Sequence, residues 1–411
     1  MIKKICTKKN LILVGLILLL ALNFMTNFLN KENIGIYTFE NFQYDSENLV
    51  FGKIYFDQDD DYEGECEYGL CIYNPITEKT NNYSSYYSQF GLQGYVISFM
   101  KNALYIPLTG IYIILSLILA IVLFFISYFI SKKYDKLLGG IFYLTFFLSP
   151  WIIAFARNLY WVSFTWFVPC LLGLMLSFNY NKKRFFVPLI FLAILIKCLC
   201  GYEYITTIML STIIFFIVDF FIEKNKKEKK NIVKTIFIVG ISCLLAFFVA
   251  LGIHGYMRGN GNIITGVKEI YQKDVLRRTV ITTDKDSYDG IMKESMDASI
   301  LDVLKLYYFN WSTDVVYGIE NNLFPIISFF ALAICIINIL RKEKYGKRDF
   351  VLYIMFFLTT TSWYILGKSH SYIHTHMNFV LWYFGYVQIC LYIIVKFINN
   401  KLLEQKNYQK W

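Results

Sequence analysis

The sequence predicts an all-α polytopic membrane protein with about 10 transmembrane helices, on the evidence of its composition and its apolar runs. Of the 411 residues, 56% are hydrophobic and only 17% are charged, whereas soluble domains carry roughly 25% charged residues. This composition excludes a soluble globular protein. Ten runs approach the ~20 apolar residues that a helix needs to cross a bilayer. They cover about 11–29, 105–130, 137–155, 160–178, 185–200, 204–222, 232–253, 323–340, 350–366 and 378–397.

The distribution of Lys and Arg predicts which loops face the cytoplasm, because short basic loops stay on that side during insertion. With the N terminus inside, the basic segments at 132–136, 182–184, 224–234 and 341–348 and the tail 398–411 are all cytoplasmic. The whole chain, 1–411, is expected to form a single integral membrane domain with both termini inside. The net charge of +10 is explained by this pattern, so the lipid bilayer is an expected partner and nucleic acid is not.

Two long polar loops are then expected outside, residues 30–104 after the first helix and 254–322 after the seventh. The first contains an acidic run at 57–67, which is interpreted as a solvated face rather than a cation site. The same loop contains Cys66 and Cys71, which are expected to form a disulfide in an oxidising compartment. Each loop ends in an amphipathic stretch, near 95–104 and 300–311, with apolar residues at helical spacing. Each stretch fits either a helix on the membrane surface or a helix packed within its loop.

Ionisable and polar residues at the ends of membrane helices are costly and often functional, and most of those in this chain gather on the outer side. A lone Arg or Lys at such a position more often reaches lipid headgroups than a substrate. The candidates for substrate or phosphate binding are Arg157, Asn158, Lys197, Tyr202, Glu203, His254, Arg258, Lys368, His370, His374 and His376.

Two of these groups carry more specific expectations. Lys197 is flanked by apolar residues, so we expect a partner inside the bundle; Glu203 is a candidate if the helix breaks at Gly201. His370, His374 and His376 have a spacing compatible with zinc, but no adjacent Cys or acid completes a ligand set. Contacts to phosphate or hydroxyl groups are therefore favoured, no cofactor is expected, and a divalent metal remains the alternative.

Asp45 and Glu47 lie two residues apart just after the first helix. A carboxylate near the membrane surface can act as a general base that takes a proton from an acceptor hydroxyl. Such pairs are also common in ordinary loops. The position soon after the membrane exit favours the catalytic interpretation.

This arrangement resembles the C-type fold of integral membrane glycosyltransferases, which use polyprenyl-phosphate-linked sugars. In that superfamily the first helix leads to a long outer loop with an early catalytic acid, and a second long outer loop joins helices seven and eight. Tyr44-Asp45-Ser46-Glu47 and residues 254–322 occupy these places. One departure is Arg157-Asn158, where many members carry a further acid; this suggests an arginine contact to phosphate.

The resemblance implies an inverting glycosyltransferase of the bacterial inner membrane, with its active site facing the periplasm or exterior. It implies a polyprenyl-phosphate-linked sugar donor, a glycan or lipid-linked acceptor, and a role in surface-polysaccharide biosynthesis. Asp45 is the expected base, with Glu47 orienting the acceptor or replacing Asp45. An O-antigen or capsule polymerase is the alternative, with Arg258, Arg277 and Arg278 as its key arginines. A lipid-linked oligosaccharide flippase is a third possibility, although the sequence has almost no polar groups at mid-depth.

Overall fold

The computed structural model describes residues 8–30, 38–75, 81–279 and 289–408. Their dominant element is the α-helix, as the composition predicts. From the N terminus, ten helices precede the second long loop: α1 (Lys8–Thr26), α2 (Tyr44–Phe56), α3 (Leu92–Asn102), α4 (Leu108–Lys133), α5 (Lys136–Leu148), α6 (Pro150–Phe155), α7 (Phe164–Leu176), α8 (Lys183–Cys200), α9 (Ile205–Ile222) and α10 (Lys226–Arg258).

Eight further helices follow, and a π-helical turn at Tyr271–Val275 joins the first two of them. They are α11 (Ile263–Ile270), α12 (Leu276–Arg278), α13 (Gly290–Asp297), α14 (Ile300–Phe309), α15 (Phe324–Leu340), α16 (Gly346–Leu366), α17 (Lys368–Ile373) and α18 (Tyr386–Tyr408). Short 3₁₀ turns lie at Tyr180–Lys182, Asn321–Leu323 and Asn378–Tyr383.

Five helices are long and apolar enough to cross a membrane: α4, α9, α10, α15 with its preceding turn, and α16. Shorter apolar helices are Asn10–Thr26 within α1, α5 and α7. A helix lies over each of the ten apolar runs, and α8 and α18 account for the remaining two. The mainly helical fold is as predicted, and these long apolar helices are compatible with a multi-pass membrane protein.

Two of the predicted spans are interrupted, each for a local reason. The run at 137–155 divides into α5 and α6 at Ser149, whose side chain accepts a hydrogen bond from the Ile152 N–H at 3.1 Å. Pro150 follows, and proline is favoured at the first position of a helix. The run at 378–397 begins as a 3₁₀ turn and becomes α18 only after Gly385, whose φ of 123° favours glycine.

The helices pack with close backbone approaches. α8 lies along α10, α16 along α9, and α4 contacts α1, α5 and α7. At the α7–α9 contact, a Cβ added to Gly173 would lie 2.0 Å from the carbonyl oxygen of Thr212. Small residues at such crossings allow membrane helices to maximise van der Waals contact.

The first long loop folds into a small layer that the sequence does not reveal, a three-stranded sheet beside α2 and α3. Its strands are β1 (Tyr62–Gly64), β2 (Cys71–Pro75) and β3 (Asn81–Ser85), in the order β1-β3-β2. β3 pairs in parallel with β1 and antiparallel with β2, with Tyr73 opposite Tyr83. Cys66 and Cys71 form a disulfide. Within the acidic run, Asp59 accepts hydrogen bonds from Asn81 at 2.6 Å and from Tyr83 at 3.0 Å.

Both predicted amphipathic stretches contain helices, α3 and α14. α3 exposes Val96 and Phe99 while it buries Ile97 and Ser98, and α14 exposes Leu301 and Phe309 while it buries Val303 and Tyr307. Apolar side chains on the outward face suit a helix at a membrane surface.

Candidate active-site cavity

A cavity of about 390 Å³ lies where several distant parts of the chain meet. Its walls come from the start of α2, the turn before α7, the connection between α8 and α9, the second long loop and the segment after α16. The lining residues are Gln43, Asp45, Ser46, Tyr86, Tyr160, Trp161, Glu203, Arg277, Arg278, Met292, His370, Ile373, His374, His376 and Met377.

Asp45 is in the first turn of α2 and is exposed to this cavity. The helix begins after Gln43, which has a φ of 58°, so the chain changes direction sharply just before the acid. The charge of Asp45 acts on both His374 and His376, where it favours the protonated form and opposes the larger effect of burial. The carboxylate is thus brought into electrostatic contact with the histidines although more than 300 residues separate them.

Glu47 has a different environment from Asp45 and is not among the residues lining the cavity. Its side chain is buried, and its Oε1 accepts a hydrogen bond from the Leu159 N–H at 2.9 Å. Burial raises the pKa of its carboxyl, while the Leu159 hydrogen bond and the charge of Arg157 act in the opposite direction. Glu47 therefore joins α2 to the turn before α7.

Arg157 and Asn158 also hold that turn, outside the cavity lining. Arg157 forms an ion pair with Glu40, donates to the Met25 carbonyl at 3.3 Å, and lies over the ring of Phe39. The Asn158 side-chain oxygen accepts from the backbone N–H groups of Tyr160 and Trp161, at 3.0 and 3.2 Å. These hydrogen bonds fix the backbone of Tyr160 and Trp161, which both line the cavity.

The break predicted at Gly201 is present, because α8 ends at Cys200 and Gly201 has a φ of 155°. Lys197 is buried and donates to the Gly201 carbonyl at 2.6 Å. Glu203, its expected partner, instead accepts a hydrogen bond from Arg278 Nη1 at 3.3 Å. Lys197 thus stabilises the end of α8, and Glu203 lines the cavity.

Arg278 and Arg277 supply positive charge to the cavity from α12. Arg278 contacts both Glu203 and, at 4.0 Å, Asp274, and Arg277 lies 3.9 Å from Asp274. Arg278 lines the same cavity as His370 and His374, and its charge contributes to lowering the pKa of both histidines. Two guanidinium groups are therefore available to an anionic group in the cavity.

His370, His374 and His376 form a row of imidazoles, with ring centroids 4.5 Å apart for the first pair and 5.6 Å for the second. Burial lowers the pKa of His374 to about 4, helped by the charges of His376 and Arg278. Burial also lowers the pKa of His376 and holds that of His370 well below its usual range. The lowered pKa of each ring favours the neutral imidazole, which offers one hydrogen-bond donor and one acceptor.

Lys368 lies at the start of α17 and is buried. Its ammonium group donates to the carbonyls of Met296 and Ala298, at 2.7 and 2.6 Å. These carbonyls end α13, so Lys368 fastens the histidine segment to the second long loop.

The remaining predicted residues lie beside the cavity rather than on its surface. His254 is buried, stacks on Tyr202, and contacts the Tyr87 carbonyl through Nε2 at 3.1 Å. Arg258 bonds to Glu269 at 3.4 Å and lies over the ring of Tyr87. No group of three His, Cys, Asp or Glu side chains within the described ranges is arranged to hold a metal ion.

An apolar groove of about 260 Å³ adjoins the cavity and shares Glu203 and Arg278 with it. Its apolar wall comes from four helices and from the π-helical turn. The wall residues include Ile205, Phe247, Leu251, Ile270, Val275, Trp363 and Leu366. A polar chamber and an apolar groove therefore meet at one ion pair.

Several cavity residues are absent from the sequence-based set of candidates. Tyr160 and Trp161 follow Arg157-Asn158 after one residue, Leu159, so the sequence indicates the turn but not the role of its aromatic residues. Arg277 and Arg278 were considered only for the polymerase alternative, because a pair of arginines in a long loop has no distinctive spacing. Met292 lies in a polar stretch without a recognisable motif.

The described residues form a mainly helical fold, compatible with a multi-pass membrane protein, with a chamber lined by ionisable groups. Comparison of the chain with protein-family models, curated proteins and solved structures finds no match.

Proposed function

We propose that this protein is a membrane glycosyltransferase of the C-type fold, which transfers a sugar from a polyprenyl-phosphate carrier to a glycan or lipid-linked acceptor. In this proposal the chain crosses a bacterial inner membrane ten times with both termini in the cytoplasm. Loops 30–104 and 254–322 then face outward, and surface polysaccharide is the product.

The observation that carries the proposal is the meeting of the polar cavity and the apolar groove at Glu203 and Arg278. A polyprenyl-phosphate sugar has the same division: a polar sugar, a charged phosphate and an apolar tail. With the tail in the groove, the phosphate lies near Arg278 and Arg277, and the sugar lies in the chamber with Asp45.

The proposed reaction uses Asp45 as the general base. The acceptor hydroxyl transfers its proton to an Asp45 carboxylate oxygen while its oxygen forms a bond to the anomeric carbon. The bond between that carbon and the phosphate oxygen breaks, and its electron pair leaves with the lipid phosphate. Attack opposite the leaving group inverts the anomeric centre.

The charge that develops on the phosphate requires positive partners that are already in position. Arg277 and Arg278 supply them, and a guanidinium group matches two phosphate oxygens. The neutral imidazoles of His370, His374 and His376 are suited to hydroxyl groups of the sugars, because each ring offers one donor and one acceptor.

The test compares cells that carry the wild type, Asp45→Asn or Asp60→Asn at equal membrane abundance. Asp60 is an exposed acid of the same loop, away from the cavity lining, so its substitution is the matched control. Mass spectrometry of the glycan and its lipid-linked precursor should reveal the loss of one sugar for Asp45→Asn only. An unchanged glycan in the Asp45 variant would contradict the proposal.

A polymerase of lipid-linked repeat units is the second candidate, favoured by one observation. Arg277 and Arg278, which come from the second long loop, both line the cavity. The same mass spectra separate the two functions, because loss of a polymerase leaves intact repeat units that do not lengthen.

A further inference from the structure

A second polar cavity, of about 260 Å³, lies near the turn between α15 and α16. Its lining combines four basic residues, two acidic residues and two apolar ones: Arg341, Lys344, Lys396 and Lys401, Glu343 and Asp349, and Ile393 and Phe397. It has no lining residue in common with the candidate active-site cavity. We propose that this cavity binds the phosphate headgroup of an anionic phospholipid from the surrounding bilayer.

The first support is the crowding of positive charge around one aromatic ring. Lys344, Arg348 and Lys396 lie 5.2, 4.6 and 4.8 Å from the ring centroid of Tyr345. Asp349 is buried and is already shared by Arg348 at 2.9 Å and Lys396 at 2.6 Å. An additional anion would therefore lower the repulsion among these cations.

Two cations of the cavity, one of them Lys344, have no such compensation among the described residues. Arg341 and Lys344 are exposed and form no ion pair with a carboxylate in the described part of the chain. Both side chains line the cavity, so an anion inside it can contact them together. A phosphate with several oxygens suits a guanidinium and an ammonium group at once.

The start of α16 adds a second source of positive potential. Tyr345 and Gly346 line the cavity, and Gly346 begins a helix of 21 residues whose N terminus carries partial positive charge. A Cβ at Gly346 would lie 2.7 Å from the Asn338 carbonyl oxygen. The glycine therefore lets the start of α16 approach the end of α15.

The adjoining surface favours a lipid over a soluble anion. Leu340, which precedes Arg341, is 76% exposed, and Ile398 and Leu402 beside the α18 wall are about half exposed. Such side chains are suited to acyl chains, and basic pockets between membrane helices are typical sites for anionic headgroups. The proposal does not depend on the proposed glycosyltransferase activity.

The experiment uses the full chain purified in detergent and measures phosphatidylglycerol, phosphatidylcholine and inorganic phosphate binding by native mass spectrometry. The test variant is Arg341→Gln/Lys344→Gln. The matched control is Lys226→Gln/Lys227→Gln, which removes two exposed charges from the first turn of α10. Neither pair contributes to the Asp349 network.

The wild type should retain phosphatidylglycerol in preference to phosphatidylcholine. The test variant should bind phosphatidylglycerol about tenfold or more weakly, because it lacks two cations that would contact the phosphate directly. The control should change less than about twofold, because Lys226 and Lys227 do not line this cavity. An equal loss of phosphatidylglycerol binding in both variants would show that the lipid is held by general attraction to surface charge, and would overturn the proposal. Equal binding of both lipids, or inorganic phosphate that binds as tightly, would also overturn it.

Discussion

Arg278 donates a hydrogen bond to Glu203 at 3.3 Å, and this pair stands between the polar cavity and the apolar groove. The two residues lie 75 positions apart in the chain. Glu203 is buried and Arg278 is 20% exposed, so their charges interact in surroundings that water screens only in part. The pair therefore contributes to both the fold and the electrostatics of the cavity.

Arg278→Gln is expected to lower stability and activity together. It leaves the Glu203 carboxylate buried without this partner, and removing one member of a buried pair costs up to about 3–5 kcal/mol. The double variant Glu203→Gln/Arg278→Gln should regain much of the stability but not the activity. In the proposed reaction, the phosphate of the sugar donor still lacks the positive charge of Arg278. Thermal unfolding in detergent and the precursor assay measure the two effects. Recovery of activity in the double variant would show that Arg278 acts only through Glu203.

Asp45 and Glu47 should respond to substitution in opposite ways. Asp45→Asn should reduce turnover by about 10²-fold or more, in the range for loss of a general base, with little change in the unfolding temperature. Glu47→Ala should destabilise the protein by about 1–3 kcal/mol, because the Leu159 N–H loses its buried acceptor. Parallel turnover and unfolding measurements test this division. A stable but inactive Glu47→Ala protein would argue against the structural role.

The histidine row predicts a loss of stability on acidification. His370, His374 and His376 all have a lowered pKa in the folded chain, so the unfolded chain binds protons more readily. Their contribution to the free energy of unfolding is fully present above pH ~6.5, the ordinary histidine pKa. It is lost as the pH falls toward about 4, the pKa of His374 in the folded chain. The unfolding temperature should therefore fall between pH 6.5 and pH 5.

His374→Gln provides the comparison, because glutamine does not titrate. Its unfolding temperature should depend less on pH across the same interval, while the nearby charges of Asp45 and Arg278 stay in place. Equal pH dependence in the two proteins would exclude His374 as a cause.

Gly173→Ala should lower the unfolding temperature, while Gly240→Ala should not. An added Cβ at Gly173 would meet the Thr212 backbone at 2.0 Å, whereas a Cβ at Gly240 has no heavy atom within 4 Å. Both glycines lie in apolar helices, so the two variants share the same change in helix propensity. If only Gly173→Ala lowers the unfolding temperature, the added Cβ has forced α7 away from α9.

The elements that sequence reasoning predicts best depend on local composition. The apolar runs contain helices. The helix also breaks at Gly201, as pairing of Lys197 with Glu203 would require, but Lys197 instead donates to the Gly201 carbonyl. The environment of Glu47 was not predictable, because its acceptor role depends on Leu159, 112 residues away. Asp45 and Glu47 are two acids of the same short stretch in the sequence. In the structure they lie on different sides of the first turn of α2, so that Asp45 lines the cavity and Glu47 is buried.

The attachment of Lys368 to the end of α13 has a mechanical consequence. Because its ammonium group binds two carbonyls of the second long loop, and Ser369 contacts Ser295 at 3.3 Å, the histidine wall and this loop wall are expected to move together. Asp45 approaches from α2, on a separate loop. If the chamber widens for a bulky acceptor, we then expect α2 to move rather than the histidine segment. In the proposed reaction, that movement would position Asp45 relative to the acceptor hydroxyl.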